Sequence, residues 1–157
     1  GLMVTASGPM VLEFNARFGD PEAQVVLPLL DGELANALLG TARGERGLME
    51  DSVAVRPGSA VGVVLASEGY PAASLTGRPL TGADPASLDD AGPLLCFHAA
   101  TRRAGGDYES SGGRVATFVG LGDDLAVARA TAYGGIEAAA LEGAQFRTDI
   151  AARELNT

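Results

Sequence analysis

Apolar and polar positions along the first fifty residues fall into two short runs and then into helical spacing. Leu2–Thr5 and Met10–Phe14 are largely apolar, and Ala6-Ser7-Gly8-Pro9 between them has turn composition, so a hairpin is predicted. A chain that opens directly on such strands is expected to begin in mid-sheet, as the interior of something larger. Asp20-Pro21-Glu22 predicts a helix start, with Asp20 capping free N–H groups and Pro21 at the first helical position, where its missing donor costs nothing. Pro28 should kink or stop that helix near Leu27. A second helix is predicted after Asp31, with Leu34, Leu38 and Ala42 on one face and Gly44 beyond its end.

The pattern changes from Ser52 onward, and a second unit is expected there, giving a division into residues 1–50 and 51–157. Ser59–Ser67, with the β-branched Val61, Val63 and Val64, reads as a buried strand. Residues 68–92 are rich in Gly, Pro, Ser, Thr and Asp and predict loops with short edge strands, while Leu94–Thr101 and Gly113–Leu121 predict strands. A long helix should follow Asp123 or Asp124, with Leu125, Ala128, Ala132 and Ile136 as its apolar stripe. Gly134-Gly135 inside it costs about 1 kcal/mol per residue relative to Ala, so close backbone packing or a bend is expected there. The fold class is therefore α/β (α+β), without internal repeat or low-complexity tract.

Composition narrows the chemistry. The 157 residues are 46% hydrophobic, enough for one domain or slightly more, and no run approaches the roughly 18 apolar residues of a membrane span. A net charge of -9 has the wrong sign for gripping a nucleic-acid backbone. All 11 basic residues are Arg, which removes a P-loop lysine, a Schiff-base lysine and a kinase-type lysine from this chain. One cysteine, Cys96, excludes an intramolecular disulfide and a cysteine-rich zinc site, and one histidine, His98, excludes a multi-histidine centre. Any metal is expected to be oxygen-bound. The lone Cys and the lack of a charged-then-apolar leader lead us to expect a cytoplasmic protein.

The stretch with most chemical content is Val11-Leu-Glu-Phe-Asn-Ala-Arg-Phe-Gly-Asp-Pro-Glu22. On a strand, Glu13, Asn15 and Arg17 would share one face and Leu12, Phe14, Ala16 and Phe18 the other. A carboxylate and an amide oxygen would then stand roughly 7 Å apart along the backbone, two hard oxygen ligands suited to magnesium that completes its shell with water and phosphate. Arg17 adds a permanent cation able to fork onto phosphate oxygens. A half-exposed edge strand with a polar outer face would alternate in the same way. Gly112-Gly113-Arg114 could form a bend presenting N–H groups and a guanidinium to an anion, or a plain bulge leading into the next strand. His98 reads as a satisfied core or interface histidine, Cys96 as a small buried hydrophobe, and Tyr70-Pro71 as a strand-ending turn. Asp20 and Glu22 read as helix-start carboxylates.

Glu13-Phe-Asn-Ala-Arg-Phe-Gly-Asp-Pro-Glu22, followed by Gln24-Val-Val-Leu-Pro28, resembles the late ATP-grasp segment of the phosphoribosylamine–glycine ligase family. The resemblance continues through Val63-Val-Leu-Ala-Ser-Glu-Gly-Tyr-Pro71, Phe97-His-Ala-Ala-Thr101, Gly112-Gly-Arg-Val115, Leu121-Gly-Asp-Asp-Leu125 and Phe146-Arg-Thr-Asp-Ile150. It implies that residues 1–50 end an ATP-grasp domain and residues 51–157 form the family's C-terminal domain, a small mixed β unit closed by a long helix. The implied reaction, in purine biosynthesis, joins glycine to 5-phosphoribosylamine with ATP, through glycyl phosphate, giving glycinamide ribonucleotide, ADP and phosphate.

By the same resemblance Glu13 and Asn15 are the metal pair for Mg2+ or Mn2+, and Arg17 is the catalytic cation, or else the partner of the phosphoribosylamine phosphate. Arg114 is a candidate for binding the nucleotide or substrate anion. The family's N-terminal domain, its glycine-rich lid and its nucleotide-binding lysines are absent from these residues, so the chain is expected to be inactive alone and to need an upstream partner. His-Ala-Ala-Thr replaces the expected His-Ala-Gly-Thr. The alternatives are a non-catalytic interaction module and a part of another ATP-grasp carboxylate–amine ligase.

Overall fold

The computed structural model describes residues 1–45, 52–83 and 92–155. It opens on the expected hairpin, β1 (Leu2–Thr5) and β2 (Gly8–Val11), paired antiparallel with Leu2 opposite Val11. Next come a five-residue helix α1 (Glu22–Val26) and a 3-10 turn (Leu27–Leu29) that carries Pro28 and ends the helix where expected. Strand β3 (Leu30–Gly32), which the sequence reading did not anticipate, pairs with β4 (Val53–Val55) across the proposed division of the chain. Between them lies α2 (Leu34–Ala42). Its buried residues are Ala37 and Gly40, whereas Leu38 of the expected apolar stripe is exposed.

The core of the molecule is a three-stranded antiparallel sheet in the order β5 (Ser59–Ala66), β10 (Arg114–Gly122), β7 (Leu94–His98). Register places Val61, Val63 and Leu65 of β5 beside Gly120, Phe118 and Ala116 of β10, and this face is covered by the long helix α3 (Leu125–Ala138). Val63, Phe118, Ala128 and Ala132 are buried there. Asp124 begins the helix with extended backbone, and its side chain accepts a hydrogen bond from Val127 N at 2.8 Å. Gly120 lets the helix backbone lie on the strand, because a Cβ there would meet Ala128 O and Ala132 N. The expected close packing at the helical glycines belongs to one of them: a Cβ at Gly135 would press on Leu94 and Phe118, while Gly134 faces open space. On the opposite face, Val25 of α1 packs against Gly62.

A second antiparallel sheet runs in the order β11 (Ala140–Leu141), β6 (Pro79–Thr81), β9 (Asp107–Ser110), β8 (Thr101–Ala104). The single strand expected over Leu94–Thr101 is divided, since the chain bends at Ala99-Ala100 and passes from one sheet to the other. The β8–β9 hairpin turns on Gly105-Gly106, both at positive φ, which only glycine adopts without strain. A final short helix, α4 (Ala152–Leu155), follows. Part of the expected loop region, residues 84–91, lies outside the described residues. No helix among the described residues is long and apolar enough to cross a membrane.

Candidate functional site

Regular pairing of β2 ends at Val11, and only two further bonds extend it: Leu12 N to Gly1 O, and the Gly1 amine to Glu13 O, each at 2.9 Å. Glu13, Asn15 and Arg17 therefore stand on an irregular exposed loop, and the expected alternation of faces on a strand is corrected. Glu13 and Asn15 meet for a local reason instead, because Asn15 Nδ2 donates to Glu13 Oε1 at 3.0 Å. That bond sets the amide beside the carboxylate and leaves oxygens of both free for another partner. Arg17 turns back on the chain and donates from Nη1 to Phe18 O at 2.8 Å.

The described residues contain no cluster of three or more His, Cys, Asp or Glu side chains able to hold a metal. What this loop can offer a cation is thus one carboxylate and one amide oxygen, a donor set that fits a hard ion keeping water or phosphate in its remaining positions.

Asp20 does not cap α1; Pro21 occupies the cap position without a side-chain cap bond. The Asp20 carboxylate is drawn elsewhere, with Oδ1 accepting from Gln24 Nε2 at 3.0 Å and Oδ2 from Arg114 Nη2 at 2.9 Å. Arg114 Nη1 also donates to Asp20 O at 2.8 Å. The anion this guanidinium faces is thus a carboxylate of the same chain, 94 residues away in sequence. Glu22 does lie in the first turn of α1, folded back over Gly19.

Beside Arg114 opens a cleft of about 420 Å³, lined by Pro21, Val64, Tyr70, Gln145 and Arg147 among others. The segment that brings Arg147 to it is held by α3, where Arg129 Nε donates to Ile150 O and Tyr133 Oη to Arg147 O, each at 2.8 Å. Gln145 Nε2 closes one rim by donating to Tyr70 O. The sequence reading singled out Tyr70 and Arg114 but missed Gln145 and Arg147, whose approach depends on the Ala66–Gln145 bridge, a contact between residues far apart in the chain. Arg147 is itself paired with Asp149, which holds the Asp149 carboxyl below its usual range.

His98 and Cys96 fall where expected. His98 Nε2 lies 2.6 Å from Ala83 O and Nδ1 2.9 Å from Thr101 Oγ1, so Nε2 carries the proton and Nδ1 accepts from the hydroxyl. Burial pushes the Cys96 thiol up to about 11, away from reactivity at neutral pH.

Comparison with known proteins extends this geometry to a family. Residues 60–153 match the family model of the phosphoribosylglycinamide synthetase C domain. Phosphoribosylamine–glycine ligase of Caulobacter vibrioides is 46% identical over 156 residues, a match covering 99% of this chain and 36% of that protein. The protein of the same name from Streptomyces coelicolor is 44% identical over 153 residues, with 98% and 36% covered. The crystal structure of phosphoribosylamine–glycine ligase from Thermotoga maritima superposes with a TM-score of 0.76 at 37% identity, over 96% of this chain and 35% of that one. The chain spans about a third of the length of the relatives it matches, and it belongs to the phosphoribosylglycinamide synthetase C-domain family.

Proposed function

We propose that these 157 residues supply the metal-binding loop and the C-terminal domain of an ATP-dependent ligase that joins glycine to 5-phosphoribosylamine. Residues 1–50 close its ATP-grasp domain, and the nucleotide-binding lysines belong to the portion of the relatives that these residues do not cover. In the reaction, a glycine carboxylate oxygen bonds to the γ-phosphorus of ATP as ADP leaves. The amine of phosphoribosylamine then attacks the acyl carbon and phosphate departs. Glu13 and Asn15 would hold Mg2+ or Mn2+, which when bound neutralises charge on the nucleotide phosphates. Arg17 stabilises the negative charge on the phosphoryl oxygens during transfer, or else binds the phosphate of phosphoribosylamine. Arg114 lines the neighbouring cleft, where a ligand anion would have to compete with Asp20. We place its action in the cytoplasm, in keeping with a single cysteine, Cys96, that has no second cysteine in these residues to pair with.

The observation that carries this reading is the Asn15–Glu13 contact on an exposed loop, which holds the amide against the carboxylate on a stretch that aligns with the phosphoribosylamine–glycine ligases. In the complete ligase, Glu13→Gln and Asn15→Ala should each lower kcat by about a hundredfold or more, with the melting temperature unchanged. Full turnover in either variant at saturating magnesium would remove the pair from the site. The 157-residue chain alone should release no ADP from Mg-ATP, glycine and phosphoribosylamine. Release dependent on all three would refute the assignment of the nucleotide lysines to another portion.

A further inference from the structure

We infer that Arg114 is a positioning residue for the metal loop, and that its two-point hold on Asp20 fixes where Glu13 and Asn15 stand. The inference rests on the reading of those two side chains as metal ligands. Residues 12–19 have no regular structure, so the loop is located by its two ends. One end is β2. The other is Asp20, five residues from Asn15 and three from Arg17. Among the described residues, the hydrogen bonds that join residues 12–20 to residues 52–155 both come from Arg114.

The hold is rigid at both partners. Arg114 grips the backbone oxygen and the carboxylate of one residue, so the planar fork fixes the orientation of Asp20 as well as its place. Behind the guanidinium, β10 shifts register between Arg114 and Ala116, an irregularity of the kind that re-aims a side chain. The platform around it is pinned: Ser67 N donates to Gly113 O at 2.8 Å, Ser67 Oγ to Gly112 O at 2.7 Å, and Ala100 N to Arg114 O at 2.9 Å. The second carboxylate oxygen of Asp20 is held by Gln24 on α1, whose neighbour Val25 rests on the sheet at Gly62. Sheet, guanidinium, Asp20 and loop thus form one continuous mechanical connection. Removing its middle member frees the far end of the loop and raises the entropy lost when both ligands converge on an ion.

Two experiments test this, one on each form of the protein. In the complete ligase, Arg114→Ala and Asp20→Asn should each raise the Mg2+ concentration for half-maximal activity about fivefold, leaving the KM for phosphoribosylamine within about twofold, the scale of one half-exposed charged pair. In the 157-residue chain, amide relaxation should show Glu13–Arg17 losing order in Arg114→Ala while Thr117–Leu121 stay rigid. That second readout needs no turnover, so it decides the inference even if the ligase reading fails. Unchanged loop order would overturn it, as would a raised KM for phosphoribosylamine at unaltered Mg2+ dependence, which would make Arg114 a substrate contact.

Discussion

Cys96 and Asp124 show how a single side chain reports its surroundings. The Cys96 thiol is half-buried and pushed up to about 11, from 9.0 in the unfolded chain. The unfolded state therefore loses its proton first, and stability that is complete below pH 9 should fall as pH rises from 9 towards 11. Urea unfolding at pH 8 and pH 10 would measure the decline, and Cys96→Ala should flatten it; an equal slope in the variant would assign the decline to other groups. Asp124 accepts the Val127 amide proton, and Asp124→Ala should cost about 1 kcal/mol in the same assay, the usual value of a lost helix cap. The cap was legible in the sequence because an acidic residue before an apolar stripe has few other uses. The role of Asp20 was not legible, since the same local signal stood before a helix too short to need it, and its true partner lies 94 residues away.

At the scale of elements, the reading succeeded where periodicity is long and failed where pairing partners are distant. The long helix and the strands β5 and β10 carry enough apolar positions to declare themselves. β3 and β4 are three residues each and exist through pairing with each other, which no local pattern announces. The β8–β9 hairpin had a readable signal in Gly105-Gly106, overlooked because its strands are polar. α2 formed as expected, but its expected apolar face is not the buried one, so spacing located the helix and not its partner. Gly120 gives this scale its sharpest test. Gly120→Ala sets a methyl against helix backbone that cannot move alone, and should destabilise by about 3 kcal/mol, whereas Gly134→Ala, facing open space, should stabilise by up to about 1 kcal/mol. Equal effects of the two in thermal unfolding would contradict the contact between α3 and β10.

For the molecule as a whole, the uneven cover of apolar surface is the dominant fact. The sheet and α3 enclose an apolar core, while the opening hairpin and the loop after it leave Val4 83% and Phe14 90% exposed. Phe14→Ser should therefore change the stability of the 157-residue chain by less than about 0.5 kcal/mol. In the complete ligase, where the proposed upstream portion would cover this face, the same change should cost about 2 kcal/mol or more. Equal costs in the two forms would mean that nothing docks there.

The glycine seat beneath α3 has a consequence for how this core can change over time. Because the helix meets backbone at Gly120, its height above the sheet at that point is set by main-chain atoms. Exchanges among Val61, Val63 and Leu65 that conserve total volume can then drift without lifting the helix there, and the hold of Tyr133 on Arg147 keeps its place while the interior behind it is rewritten.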